Sequence, residues 1–270
     1  MSDGHWPLQA LRAQLAPLLP DCAVELRAQI DSTNTELMRR ARSGTLAPTL
    51  LVAEEQTAGR GRMGRQWYSG AGDVLAFSLG LPLAPHDWSG LSLAVGVSVA
   101  DSLQPQLPGR HSTHARIELK WPNDLWLHDG RKLAGILIES AVAADGQRCV
   151  IVGVGTNLRQ PPVTGLRTPA ACLQDLDEAL DGPAALVRIA EPLARTLLGF
   201  AEYGFAPFQP RFARRDHLYG RRVVLSDGRE GLAQGVDDGG ALLVQTAQGV
   251  ERITSAEVSV RPLAPQRLGA

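Results

Sequence analysis

A loop rich in glycine and arginine is the segment of this 270-residue sequence best suited to chemistry. In Gly59-Arg60-Gly61-Arg62-Met63-Gly64-Arg65, glycines alternate with arginines, and Trp67 follows closely. Glycine lets backbone N–H groups approach a ligand, and arginine offers a planar pair of donors to phosphate or carboxylate oxygens. Because closely spaced like charges repel, the pattern favours an anionic ligand such as a polyphosphate or an acyl phosphate. A solvated turn or a nucleic-acid-binding segment is the alternative.

Two lysines mark a second candidate site. Lys120 precedes Trp-Pro-Asn123-Asp124, and Lys132 precedes the apolar run Leu-Ala-Gly135-Ile. An ammonium group at the mouth of a buried strand is poorly solvated, so its charge acts strongly on a ligand. Alternatively, the Lys132 stem lies along an edge with its charge in water. Asn123 and Asp124 are typical turn residues, although Asp124 could also help to hold magnesium beside substrate phosphates.

Polar residues at two predicted element boundaries complete the candidate set. In Asp31-Ser32-Thr33-Asn34-Thr35, Ser32 or Thr33 could cap a helix, with Glu36 as the acid of a capping box. Such a cap also places hydroxyl and N–H groups where a carboxylate or a ureido oxygen could bind. Asn157 follows Gly153-Val-Gly155-Thr at the end of a predicted strand, where it could donate to a nucleotide or cap a turn.

These residues must be positioned by an α/β or α+β main domain, which is followed by a small β domain. Hydrophobic periodicity predicts helices over residues 8–19, 88–103 and 183–203, one more helix from Asp31 onward, and strands over 50–55, 74–81, 116–120, 133–142 and 149–158. The turn Ala144-Asp145-Gly146 predicts that the last two strands form a hairpin. Beyond residue 217, turn signals about every ten residues predict a small antiparallel barrel. We expect domains over 1–217 and 218–265.

Composition is ordinary for a globular protein, with 44% hydrophobic and 20% charged residues. The formal net charge of −1 gives no overall bias toward nucleic acid or an anionic membrane. The N-terminal residues lack the pattern of a secretory signal, and no segment is apolar over the roughly 20 residues needed to span a bilayer. The three cysteines are scattered without a CxxC pair, which argues against a disulfide framework or a structural zinc site. These features predict a cytoplasmic enzyme.

Taken together and in this order, the motifs resemble those of the biotin–protein ligases. The segments that carry the resemblance are STNTEL, EEQTAGRGRMGRQW, KWPNDLWL, RKLAGILIE and VGVGTNL. The resemblance is close over about residues 28–160 and looser toward the C-terminus. It implies a mixed-sheet catalytic domain related to lipoate ligases and class II synthetases, with an SH3-like C-terminal barrel.

The resemblance also implies roles for individual residues, with Lys132 and Arg62 as the catalytic pair. The biotin-binding residues it implies are Ser32, Thr33, Asn34, Gln56, Gly59, Arg60, Gly61, Arg62, Lys132 and Gly135. The nucleotide-binding residues it implies are Arg62, Arg65, Trp67, Lys120, Asn123 and Asn157. Asp124 is the expected magnesium ligand. Met63 stands where arginine is common in the family.

The implied activity uses ATP, Mg²⁺ and biotin to form biotinyl-5′-AMP, and it transfers biotin to a lysine of the carrier domain of acetyl-CoA carboxylase. Only about thirty residues precede the STN motif, so we expect a ligase without a DNA-binding repressor domain, acting as a monomer or a homodimer. The nearest alternative is a lipoate–protein ligase. A nucleic-acid-binding regulator and a catalytically inactive biotin sensor are further alternatives, which the net charge and the intact cations disfavour.

Overall fold

The computed structural model describes residues 6–44, 46–109, 112–143, 146–162, 168–254 and 260–262. The helices are α1 (Leu8–Leu15), α2 (Thr33–Ser43), α3 (Leu91–Leu103), α4 (Gly182–Tyr203) and α5 (Gln209–Arg215). The strands are β1 (Ala23–Ile30), β2 (Thr49–Gln56), β3 (Val74–Pro82), β4 (Ile117–Lys120), β5 (Asp124–Leu127), β6 (Lys132–Val142), β7 (Arg148–Asn157), β8 (Arg222–Leu225), β9 (Glu230–Val236), β10 (Leu242–Thr246), β11 (Gly249–Ile253) and β12 (Val260–Pro262). None of the helices in the described ranges is long and apolar enough to cross a membrane.

Seven strands form one mixed sheet in the order β1-β2-β3-β7-β6-β5-β4. Only β1 and β2 pair in parallel, and the other neighbours are antiparallel. One face of the sheet packs with α1, α3 and α4 around the larger hydrophobic core. The other face holds α2, whose Leu37, Met38 and Ala41 pack on Leu51 and Ile151. The predicted mixed α/β architecture is confirmed.

The Gly-Val-Gly run of β7 follows from this two-faced arrangement, because successive side chains of a strand point to opposite faces. Val152 and Val154 belong to the larger core. Gly153 and Gly155 face the side of α2, where added Cβ atoms would meet the side chains of Asn34 and Trp67 respectively. The glycines therefore leave space on the α2 face while the valines fill the core.

Several element boundaries differ from the prediction. The first helix ends at Leu15 rather than residue 19, because Pro17 has no N–H to continue the helical hydrogen-bond ladder. The third helix begins at Leu91 rather than 88, after Gly90, which has a positive φ of 79°. Strands β1 and β5 and the short helix α5 were not predicted. The β6–β7 hairpin is confirmed by antiparallel pairing, although residues 144 and 145 of its predicted turn lie outside the described residues.

The predicted small β domain is an antiparallel sheet with strand order β11-β10-β9-β8-β12. It follows α5, so the predicted division at residue 217 falls in the connection before β8, and as a domain boundary it stays a prediction. The sheet contacts the main domain through the indole Nε1 of Trp121, which donates to the Gly240 carbonyl at 3.1 Å. Nearby, the Nδ1 atom of buried His217 lies 2.8 Å from Glu118 Oε2.

Candidate active site

A cavity of about 310 Å³ opens on the α2 face of the large sheet. Its walls come from the N-terminus of α2, the glycine-arginine loop after β2, and strands β5, β6 and β7. Of the residues singled out in the sequence, those lining it are Ser32, Thr33, Asn34, Gln56, Arg60, Gly61, Arg62, Arg65, Trp67, Asn123, Asp124, Lys132, Gly135 and Asn157. Segments far apart in sequence therefore converge on one cleft.

Two predicted residues do not line the cavity. Gly59 is buried at the base of the loop, where an added Cβ would overlap the Trp67 carbonyl oxygen. Lys120 is buried at the end of β4, with its ammonium group 3.3 Å from the Trp121 carbonyl and 5.2 Å from the Trp126 ring centroid. Gly59 thus shapes the loop, and Lys120 points to the β4–β5 connection. Their predicted ligand contacts stay predictions.

The N-terminus of α2 forms one end of the cleft. Ser32 is the N-cap, and its hydroxyl accepts from the Thr35 N–H at 3.4 Å. The predicted capping box with Glu36 is wrong, because Glu36 lies one position beyond N3 and pairs with arginines of its own helix. Thr33 is buried, its N–H donates to Gln56 Oε1 at 2.9 Å, and its Oγ1 lies 3.2 Å from the same oxygen.

The glycine-arginine loop begins beside the N-terminus of α2, where the Ala58 N–H donates to the Asp31 carbonyl at 2.9 Å, and it folds back on itself. The Trp67 N–H donates to the Gly59 carbonyl at 2.9 Å, and the Gly61 N–H donates to the Arg65 carbonyl at 2.7 Å. This closed shape directs Arg60 across the cleft mouth, where its guanidinium lies 3.4 Å from Thr35 Oγ1. The Arg60 side chain is 47% exposed, so a bound anion would replace water around it.

Arg62 reaches from the loop to the β4–β5 connection, where its Nη1 donates to Asn123 Oδ1 at 3.4 Å. Burial lowers the pKa of the Arg62 guanidinium; the Asp124 carboxylate opposes this shift, and nearby Arg65 adds to it. A partly buried guanidinium gains more from an anionic ligand than one in open solvent, because water screens it less.

Lys132 begins β6, and its Nζ forms an ion pair with Asp124 Oδ1 at 2.8 Å. Its backbone is fixed independently, since its N–H donates to the Pro169 carbonyl and its carbonyl accepts from the Ala171 N–H, both at 2.8 Å. The cation is therefore held at the cleft wall by its neighbours. The Lys132 side chain therefore faces the cleft rather than lying along an edge with its charge in water.

Trp67 lies against the glycine-lined wall of the cleft. Added Cβ atoms would approach its indole to 3.1 Å at Gly135 and 2.5 Å at Gly155. The Lys132 Nζ is 5.3 Å from its ring centroid, within the range of a cation–π contact. The indole N–H is buried and has no hydrogen-bond partner among the described residues, which leaves a donor for a ligand.

The predicted asparagines use their amide N–H groups to join strands. Asn123 donates to the Ile136 carbonyl at 2.8 Å, and Asn157 donates to the carbonyls of Ala171 (2.8 Å) and Lys132 (3.3 Å). These bonds fix the geometry of the cleft wall. Contacts of the two asparagines with a nucleotide stay a prediction.

Sequence reasoning missed Ser78 and Glu139, which contact the lining residues Thr33 and Asn34 from beneath the cleft, and the cleft-facing role of Gly153 and Gly155. Ser78 and Glu139 each stand in otherwise apolar strand segments, VLAFSLGL and LAGILIE, and this contrast was the available signal. Ala76 and Leu137 also line the cleft, as do the strand positions of Phe77, Ile136 and Val154, whose side chains belong to the larger core on the other face of the sheet. The cleft therefore combines apolar surface with fixed donors and four cationic side chains, a set suited to an acid with a hydrocarbon chain and to a nucleotide phosphate.

Comparison with known proteins agrees with this chemistry. Residues 26–157 match the biotin/lipoate A/B protein ligase family, and residues 219–261 match the biotin protein ligase C-terminal domain. A biotin–[acetyl-CoA-carboxylase] ligase of Paracoccus denitrificans is 34% identical over 239 residues, covering 86% of this chain and 98% of the relative. The bifunctional ligase/repressor of Escherichia coli is 33% identical over 266 residues, covering 94% of this chain and 79% of the relative.

Solved structures give the same result. The biotin protein ligase from Aquifex aeolicus in complex with biotin and ATP superposes with a TM-score of 0.74 at 29% identity, covering 89% of this chain and 99% of that chain. The apo structure of that ligase superposes with a TM-score of 0.70 at 25% identity, with the same coverage. On the similarity of its sequence, its fold and its order of motifs, the chain belongs to the biotin–protein ligase family.

Proposed function

We propose that the chain is an ATP-dependent biotin–protein ligase, which forms biotinyl-5′-AMP and transfers the biotinyl group to a lysine of a carrier protein. The observation that supports this most strongly is the convergence of Arg60, Arg62 and Lys132, from two separate segments, on one cavity. Relatives named biotin–[acetyl-CoA-carboxylase] ligases support the carrier domain of that carboxylase as the protein substrate.

In this proposal, biotin occupies the part of the cleft near α2 and the apolar walls. Its ureido group lies at the N-terminus of α2, among Ser32, Thr33, Asn34 and Gln56, where hydroxyl and amide groups converge. The other biotin contacts that we propose are with Gly59, Arg60, Gly61, Arg62, Lys132 and Gly135. The nucleotide contacts that we propose are with Arg62, Arg65, Trp67, Lys120, Asn123 and Asn157.

The first step joins two anions. A carboxylate oxygen of biotin attacks the α-phosphorus of ATP, an O–P bond forms, and the bond to pyrophosphate breaks. Repulsion between the reactants opposes their approach, and Lys132, Arg60 and Arg62 offset it where negative charge builds up on the phosphate oxygens. Binding both reactants in one cleft also contributes several kcal/mol through orientation.

Magnesium enters this scheme as part of the substrate MgATP, where it neutralises the charge of the pyrophosphate that leaves. The described ranges contain no group of three or more Asp, Glu, His or Cys residues that could hold a metal ion. Asp124 is the one carboxylate proposed for the metal, and its Oδ1 is already paired with Lys132 at 2.8 Å. The residues therefore fit a metal carried by the phosphates rather than a metal caged by the protein.

In the second step the lysine amine of the carrier attacks the acyl carbon of biotinyl-5′-AMP. A C–N bond forms, the C–O bond to AMP breaks, and the amine loses a proton. The mixed anhydride is sensitive to water, and the glycine-arginine loop, which spans the cleft mouth, is placed to shield it. We propose that no covalent enzyme intermediate forms; biotin found by mass spectrometry on a nucleophile of the enzyme, as an obligate species, would refute this.

Biotin-dependent exchange of labelled pyrophosphate into ATP tests the proposal. With MgATP we expect exchange when biotin is added and only background exchange when lipoate is added. Exchange that depends on lipoate would support the lipoate ligase alternative, which fits the broader family match. If neither acid supports exchange, the adenylating activity is refuted, and salt-sensitive nucleic-acid binding without ligase activity would support the regulator alternative.

A further inference from the structure

A chain of polar side chains runs beneath the cleft from α2 to β6. The Ser78 Oγ lies 2.7 Å from Thr33 Oγ1 and 2.6 Å from Asn34 Oδ1. At the far end, Asn34 Nδ2 lies 3.1 Å from Glu139 Oε2. Ser78, Thr33 and Asn34 are buried, so water competes little for these hydrogen bonds and each becomes stronger than it would be at the surface.

The missing side chain of Gly153 leaves room for these polar side chains to pass over the central strand β7 on the α2 face. Gly153 of β7 pairs in register with Ser78 on one side and with Leu137 on the other. An added Cβ at Gly153 would overlap Asn34 Oδ1. The Asn34 amide therefore lies over the glycine, with its oxygen toward β3 and its nitrogen toward β6.

The Glu139 carboxylate determines the direction of the hydrogen bonds that join Asn34, Ser78 and Thr33. The Leu137 carbonyl (3.2 Å) and the Glu139 carboxylate only accept hydrogen bonds, so they require the amide nitrogen of Asn34 on their side. The Asn34 oxygen then faces Ser78 and accepts its single hydroxyl hydrogen. Because Ser78 has no second hydrogen, it offers only a lone pair to Thr33.

Thr33 therefore donates its own hydroxyl hydrogen to a protein atom and not to a ligand. That hydrogen goes to Ser78 Oγ, 2.7 Å away, because no other hydrogen can lie between these two oxygens. Thr33 Oγ1, a wall atom of the cleft, is left with lone pairs to accept a hydrogen bond from a ligand N–H.

We propose that Glu139 is a positioning residue that sets Thr33 as an acceptor for a ureido N–H of biotin. The inference rests on the proposed function, since biotin is the ligand that supplies the ureido N–H. Glu139 touches no part of the ligand cavity and acts through Asn34 and Ser78. Its second oxygen lies 3.5 Å from Arg60 Nη2, so the same carboxylate also holds the loop arginine at the cleft mouth.

Two substitutions separate the effect of Glu139 on Asn34 from its effect on Arg60. Glu139→Gln keeps an oxygen that can accept from Asn34, but it removes the charge that faces Arg60. Glu139→Ala removes both the acceptor and the charge. A matched control is Glu25→Ala, which removes a carboxylate that is paired with Arg27 and Arg40 and does not line the cavity.

The readout is the KM for biotin and the kcat of biotin-dependent pyrophosphate exchange, with thermal melting to verify folding. For Glu139→Ala we expect the KM for biotin to rise about tenfold, the effect of one lost hydrogen bond to a bound ligand, with kcat within about threefold of wild type. We expect Glu139→Gln to recover most of the KM, and Glu25→Ala to match wild type. A merely structural role would lower kcat through a smaller folded fraction and leave the KM unchanged.

A double-variant cycle tests the path through Ser78. If Glu139 acts on Thr33 through Asn34 and Ser78, then Ser78→Ala raises the KM for biotin as Glu139→Ala does, and the double variant raises it little further. Additive effects, or an unchanged KM in either single variant, would overturn the inference while leaving the ligase activity of the wild type intact. If Glu139→Ala does not fold, an unchanged KM in Ser78→Ala overturns it alone. Absence of exchange by the wild type would instead refute the proposed function.

Discussion

Replacing Lys132 with alanine removes the cation that the structure holds most firmly at the cleft wall. The Nζ is paired with Asp124 at 2.8 Å, and the side chain is 27% exposed. Since the backbone of Lys132 is anchored by hydrogen bonds to residues 169 and 171, we expect the fold to persist and the rate of adenylation to fall.

The magnitude comes from two effects of the substitution. Loss of a fixed charged donor to a transition-state oxyanion costs about 10²- to 10³-fold in rate. The substitution also leaves Asp124 without its cation, and a carboxylate about 4 Å from an anionic reactant is repulsive by about 1 kcal/mol in bulk water and up to about 4 kcal/mol at an effective dielectric constant of 20. We therefore expect biotin-dependent pyrophosphate exchange to fall about a thousandfold or more.

The double variant Lys132→Ala/Asp124→Asn separates the two effects. It removes the repulsive carboxylate, so we expect it to exchange pyrophosphate about tenfold faster than Lys132→Ala alone. Arg131→Ala is the matched control, because this neighbouring cation is paired with Asp129 and Asp175 and does not line the cavity. Near-normal exchange by Lys132→Ala would rule out its role in adenylation, and a double variant no faster than the single variant would rule out repulsion by Asp124.

Three further predictions follow from individual contacts. Arg62→Ala should release labelled biotinyl-5′-AMP about tenfold faster in a filter-retention assay, because a partly buried guanidinium is lost; retention equal to wild type would contradict this. Gly155→Ala places a Cβ 2.5 Å from the indole Nε1 of Trp67, so the indole must move and the KM for ATP should rise about tenfold; an unchanged KM would remove Trp67 from the nucleotide site. Glu25→Gln should lower the free energy of unfolding by up to about 1 kcal/mol at pH 7. Its hydrogen bond to Arg40 lowers the pKa of Glu25, so that difference is present above the carboxyl group's ordinary pKa and disappears as the pH falls through the lowered value; a pH-independent difference in chemical denaturation would contradict it.

The sequence predicted the parts of the site that are continuous in the chain. The glycine-arginine loop, the polar N-terminus of α2 and Lys132 all line the cavity, because each has a local reason for its residue types. A loop that crowds arginines requires an anion, and a helix start requires a cap. Local chemistry of this kind is visible without knowing which strands are neighbours.

The parts that escaped prediction depend on strand register. Ser78 and Glu139 are 61 positions apart, and they reach the same asparagine only because β3 and β6 both pair with β7 around Gly153. No spacing in the sequence contains that information. Lys120 illustrates the converse: it ends an alternating strand beside a functional motif, yet its side chain is buried toward Trp126.

Transfer of biotin to a carrier domain is the decisive test of the proposed ligase activity. The protein is incubated with MgATP, biotin and the biotin carrier domain of an acetyl-CoA carboxylase, and the intact mass of the carrier is measured. We predict a gain of one biotinyl group on a single lysine, dependent on both ATP and biotin and almost abolished by Lys132→Ala. A carrier whose mass stays unchanged with folded wild-type protein, or a gain that Lys132→Ala does not reduce, would contradict the account.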